Sequence, residues 1–225
     1  MAERREVREN SQVKKSLACV LSALLLLTSC GEQSKIYAAS KTEGVFFTVP
    51  NKWHAISNAA LDKFEVKSAQ GAAIERQSLV AWQIAFSKNT KVKPAQIFSI
   101  DAPKTPLAFA RVRSLSADEI NSVSYNVLRD VIVPLSQWVS SPTADTPKFD
   151  IYDDYEVVEK GARGVRTIFT FTHKGVAQTI DQTAMVSTDH SKIYLFIIRC
   201  ANSCYKKNEK LMTEISNSFT VRGTK

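Results

Sequence analysis

Few side chains in this 225-residue sequence could do covalent or acid–base chemistry. It holds four cysteines (Cys19, Cys30, Cys200 and Cys204) and three histidines (His54, His173 and His190). Cys200 and Cys204 stand four residues apart, and in an oxidising compartment such a pair reads most simply as a disulfide. Free thiols, or a redox or metal pair, are the alternatives. The spacing is not Cys-x-x-Cys, and no Cys or His follows Cys204 to complete a metal set. His54 lies near a strand end, His173 in a Lys-Gly turn and His190 in a Thr-Asp-His-Ser turn, so each reads as a surface or structural residue. Asp189-His190-Ser191 contains the residue types of a hydrolase triad, but adjacent residues cannot form its spatial relay. Asp153, Asp154 and Glu156 make an acidic cluster that could take a cation. It lacks the spacing and glycine of an EF-hand, so a solvated strand end is the simpler reading. Gly-x-Ser-x-Gly, His-Glu-x-x-His and a phosphate-binding glycine loop are all missing from the sequence. Asp181 with Arg166 or Arg199 could assemble a polar site, or simply pair across a sheet. No catalytic, metal or cofactor-binding residue is assigned, no cofactor is expected, and the chain is expected not to be an enzyme.

The positioning elements begin with a leader. Lys14 and Lys15 precede a short apolar run that closes on Leu27-Thr28-Ser29-Cys30. This is the basic, apolar and small-residue layout of an export signal, and the run is too short to span a bilayer core. Leu-Thr-Ser-Cys resembles the lipobox of bacterial lipoproteins. The resemblance implies cleavage after Ser29 and lipidation of Cys30, hence an exported chain anchored to the membrane through lipid on that cysteine. The alternative is an ordinary signal peptide with an incidental cysteine. Removing residues 1–29, with five basic and three acidic side chains, lowers the formal charge from +8 to +6. The basic residues are scattered without arginine-rich runs or aromatic interleaving, which argues against nucleic acid as a partner. The domains expected are thus a signal peptide (1–29), a lipid-anchored flexible tether (30–43) and one α+β domain (44–225).

Within that domain, residues 45–49 read as a strand closed by Pro50, and 59–69 as a short helix facing inward through Leu61 and Phe64, ended by Gly71. Residues 79–86 alternate, as do 107–114, where Leu107, Phe109, Arg111 and Arg113 share a face. Ser116-Ala117-Asp118-Glu119 is a capping box. It opens an amphipathic helix with an inward stripe of Ile120, Val123, Val127, Val131, Leu135 and Trp138, to be kinked or broken by Pro134. A meander follows: strands at 152–159, 165–172, 176–187 and 193–200, with turns at 161–164, 173–175 and 188–191. Ile193 to Ile198 is apolar on both faces and should lie centrally in the sheet. A C-terminal helix over 204–217 and a short strand at 219–221 complete the pattern.

Phe46-Phe47-Thr48-Val49-Pro50 with Trp53, Gly161 to Arg166, Lys192 to Leu195, and Ile215 to Val221 together resemble PsbP-like domains. That group shares its fold with the Ran-binding protein Mog and several bacterial lipoproteins. The resemblance implies an antiparallel sheet with helices on both faces. It brings no metal or catalytic signature onto any residue here, and fold alone does not fix function. The expectation is a non-enzymatic module that binds an envelope protein or supports assembly at the cell envelope. The alternative is a small-ligand carrier, or an exported enzyme with a site built from separated residues. A deep cleft would favour the alternative, and a shallow exposed apolar patch the first reading.

Overall fold

The structure, a computed structural model, describes residues 34–222. The leader, Cys19 and Cys30 lie outside the described residues. In chain order the elements are β1 (Lys35–Ser40), β2 (Val45–Pro50), β3 (His54–Ile56), α1 (Asn58–Ser68), α2 (Ala72–Ser78), β4 (Val80–Ser87), α3 (Pro94–Phe98) and β5 (Leu107–Ser114). There follow α4 (Ala117–Ser122), α5 (Tyr125–Arg129), α6 (Leu135–Ser140), β6 (Phe149–Val158), β7 (Ala162–His173), β8 (Val176–Ser187), β9 (Lys192–Ala201), α7 (Asn202–Asn217) and β10 (Thr220–Val221).

A seven-stranded sheet runs β3-β4-β5-β9-β8-β7-β6, and every neighbouring pair is antiparallel. Strand β9 is its middle member. Its alternate residues feed two separate cores: Ile193, Leu195 and Ile197 on one face, Tyr194, Phe196, Ile198 and Cys200 on the other. A strand covered on both sides has no solvent face to mark with polar residues, which is why its sequence is continuously apolar. The first face is covered by short helices, with Leu61 of α1, Ile97 of α3, Leu128 of α5 and Leu135 of α6 in its core. The second is covered by α7, through Tyr205, Met212 and Ile215, and by a small sheet of order β1-β2-β10 that contributes Phe47 and Val221. The fold is α+β with helices on both faces, and this small sheet shares the second face with α7.

Four local expectations need correction. Residues 35–40, expected as part of a flexible tether, form β1, which pairs with β2 from Lys35↔Pro50 to Ser40↔Val45. Its side chains are mostly exposed, so backbone pairing holds it and leaves little apolar period to detect. The helix expected from Ser116 breaks at Pro134 as expected but also at Ser124, so it is three short helices. Ser124 caps α5 by accepting from the Val127 amide, the Asp130 carboxylate accepts from the Ser136 amide, and Pro134 opens α6. The inward stripe holds in part: Leu135 is buried and Val123 and Trp138 pack against the core, but Ile120, Val127 and Val131 are exposed and Leu128 and Val133 are buried in their stead. Gly71 ends nothing. At φ +56° it turns the chain directly from α1 into α2. Gly164, read as a turn residue, lies inside β7, where an added Cβ would meet the Ala184 carbonyl oxygen at 2.0 Å.

Candidate functional site: an arginine-lined cleft

The candidate site is organised by one fully buried amide. Gln83 of β4 has no solvent exposure, so its polar atoms must be satisfied internally. Its Nε2 donates to Asp62 Oδ1 (2.7 Å) and Glu65 Oε2 (2.8 Å) of α1. Its Oε1 accepts from Arg111 Nη2 (2.6 Å) and Nε (3.1 Å) of β5. Arg111 then pairs with Glu65 at 2.7 Å and lies over the rings of Phe98 and Phe109, at 5.3 and 5.1 Å from their centroids. Such stacking suits a planar guanidinium better than an ammonium group. The network thus fixes one arginine at the lip of a cleft on the helix-covered face of the large sheet.

The cleft encloses about 590 Å³, in the range of small-molecule sites. It has two unlike sides. Toward β4 stand Arg111 and Arg113 of β5 with Arg76 of α2. Toward β8 stand Val127, Val131 and Ile132, with Leu195 and Ile197 of β9 forming the floor. Arg113 makes a two-pronged pair with Glu119 (2.7 and 2.8 Å), and this contact holds the Glu119 carboxyl below the usual carboxylate range. Arg199 is buried and, among the described residues, has no carboxylate in pairing distance. Its guanidinium instead donates to the carbonyls of Gln96, Ile97, Ser99 and Asp101 and to Gln178 Oε1. Burial lowers its pKa to about 10, which leaves it charged at neutral pH. The Arg76 side chain, exposed at the rim, has no hydrogen bond or ion pair among the described residues.

The residues singled out in the sequence lie elsewhere. Cys200 and Cys204 are joined by a disulfide, with Cα atoms 5.9 Å apart, at the junction of β9 and α7. His54 is exposed on β3, and His190 is exposed at φ +56° in its turn. His173 Nε2 lies 3.4 Å from Asp101 Oδ1, beside Lys174 at 3.0 Å. Asp189 accepts from the hydroxyls of Ser187 and Ser191, which bring its pKa down to about 2. That is turn chemistry, not a relay through His190. In the acidic cluster, Asp154 is held by Arg129 and Thr167, and Glu156 by Tyr125 and Arg163. Among the described residues no group of three His, Cys, Asp or Glu is placed to hold a metal. Asp181 pairs with Arg166, not Arg199, beneath α7.

One signal in the sequence points to the cleft. The alternation of residues 107–114 puts Arg111 and Arg113 on the face of Leu107 and Phe109, an unusual place for two charges unless that face is partly open. Glu65, Gln83 and Arg76 carry no comparable mark.

No family model matches the chain, and no curated protein sequence matches it. Solved structures do. The solution structure of cyanobacterial PsbP (CyanoP) from Synechocystis sp. PCC 6803 is 14% identical, covering 86% of this chain and 95% of its own, with a TM-score of 0.46. LpqN of Mycobacterium tuberculosis is 11% identical, covering 83% and 90%, at 0.44. The Ran-binding protein Mog1p of Saccharomyces cerevisiae is 7% identical, covering 85% and 97%, at 0.44. PsbP and Mog, named by the sequence resemblance, are thus among them. At these identities the likeness is one of fold and gives no residue a role.

Proposed function

We propose that this protein is an exported binding module, anchored by lipid on Cys30, that does no chemistry of its own and receives a ligand in the arginine-lined cleft. The anchor rests on the Leu-Thr-Ser-Cys ending of the leader. The single observation behind the binding role is the make-up of the cleft. Its ionisable lining consists of Arg76, Arg111, Arg113 and Arg199 with Glu65, and Glu65 is already committed to Arg111 and Gln83. Arginine does not exchange protons near neutral pH, so this lining can attract and orient a ligand but offers no general base. A walled concavity of this kind favours a small-ligand module over one that presents a flat apolar patch to a protein.

The reading is tested by a photo-crosslinking amino acid placed at Val131 in the cleft wall or at Lys206 on α7, in intact cells. Capture of an occupant from position 131 and not from 206 is expected. Capture from position 206 alone contradicts the cleft as the receptor site.

A further inference from the structure

The two sides of the cleft differ in kind, and that difference narrows the ligand. The β5 side presents guanidinium groups beside the Phe98 and Phe109 rings, and the β8 side is hydrocarbon without a charge. The strand order makes this division a property of the sheet: β5 carries Arg111 and Arg113, and its neighbour β9 carries Leu195 and Ile193 directly opposite them in register. Beyond β9, Val127 and Val131 complete the apolar side while remaining 45% and 37% exposed. Branched side chains left that open at the wall of a concavity have apolar surface still to cover. On the opposite rim the Arg76 side chain has no partner among the described residues, whereas Arg111 and Arg113 are each neutralised by a glutamate. Buried Arg199 adds a positive charge that makes no ion pair among the described residues, with the Asp101 carboxylate acting on it only from a distance.

Resting on the cleft as the binding site, we infer that its ligand is a single-chain amphiphile with an anionic head, a carboxylate or phosphate. The head is held at the Arg76 rim by charge-assisted hydrogen bonds, and the acyl or alkyl chain lies over Leu195 and Ile197 against Val127 and Val131. A fully polar anion would leave the apolar side uncovered. An uncharged or cationic amphiphile would leave Arg76 unused or opposed. The shared chemistry admits a fatty acid or a phosphate-headed lipid product, and the experiment below separates them.

The test uses decyl phosphate, decyltrimethylammonium and decyl maltoside, each bearing a photoreactive diazirine at the chain end, on native membranes holding the full-length protein. Labelled peptides are mapped by mass spectrometry. The phosphate probe is expected to label the peptide containing Val131 and Ile132 about tenfold more than the ammonium probe, the scale of one charge-assisted contact. Arg76→Glu should abolish that preference, and Lys206→Glu should leave it intact. Competition by unlabelled decanoate against decyl phosphate then ranks the two heads. Equal labelling by all three probes overturns the anionic class while leaving the cleft as a binding site, and a phosphate preference that survives Arg76→Glu overturns Arg76 as the place of the head. Failure of every probe to label the cleft, with a protein captured from position 131, overturns it in favour of a protein ligand. Failure of every probe together with no capture from position 131 overturns the cleft itself.

Discussion

Arg166 of β7 grips Asp181 of β8 through two parallel hydrogen bonds, Nε to Oδ1 at 2.8 Å and Nη2 to Oδ2 at 2.7 Å. The pair sits diagonally across the two strands, and both side chains are almost wholly removed from water, at 7% and 0% exposure. Arg166 also donates through Nη1 to Asn217 at the end of α7. The contact therefore ties the last helix to the sheet.

Removing one partner should cost far more than removing both. Asp181→Ala leaves a buried guanidinium without its counter-charge, and a loss of about 3–5 kcal/mol is expected in urea unfolding. The double change Arg166→Met with Asp181→Leu should recover much of that loss. A double variant no more stable than Asp181→Ala would show that packing, not the pair, dominates there.

Tyr205 gives the fold a weakness toward alkali. Burial, then the nearby Asp181 charge, raises its phenol pKa above the ordinary 10.0. Below the unfolded value the phenol is protonated in both states, and its contribution to stability is complete. As pH rises past that value the unfolded chain gives up the proton first, so stability falls with increasing pH. Between about pH 9 and pH 11 the parent should lose more stability than Tyr205→Phe. Parallel losses would contradict the shift.

The Cys200–Cys204 bridge closes a small ring, for which loop entropy gives about 2 kcal/mol before strain. Intact mass of envelope-derived protein should rise by two alkyl groups only after reduction. Two thiols that alkylate without reduction would refute the bridge.

Cys30 should carry the anchor. Mature protein is expected to begin at Cys30, with the mass of attached acyl chains. Incorporation of a labelled fatty acid should vanish in Cys30→Ala. Label retained in that variant would remove the lipid-anchor reading.

Long strands were legible because their chemistry is local. Strand β8 covers the residues expected for it, and the Lys174-Gly175 turn before it has φ of +49° and +75°, the backbone that a two-residue hairpin needs. The region from Ser116 to Ser140 was not legible in the same way. The break at Pro134 was legible, but valines at helical spacing looked like one buried stripe; Ser124 restarts the chain ahead of it, so Val123 packs inward while Val127 and Val131 turn outward to the cleft. The cleft itself depends on Gln83, Glu65 and Arg111 meeting across α1, β4 and β5. Contacts between elements that far apart in sequence leave no periodic trace.

The most direct measurement is native mass spectrometry of the protein extracted gently from its own membranes, beside a variant in which Ala73→Trp fills the cleft from α2. The parent is expected to carry a small bound molecule that the variant lacks, with both folded. Identical spectra for parent and variant, whether both bare or both loaded, would contradict a ligand held in the arginine-lined cleft.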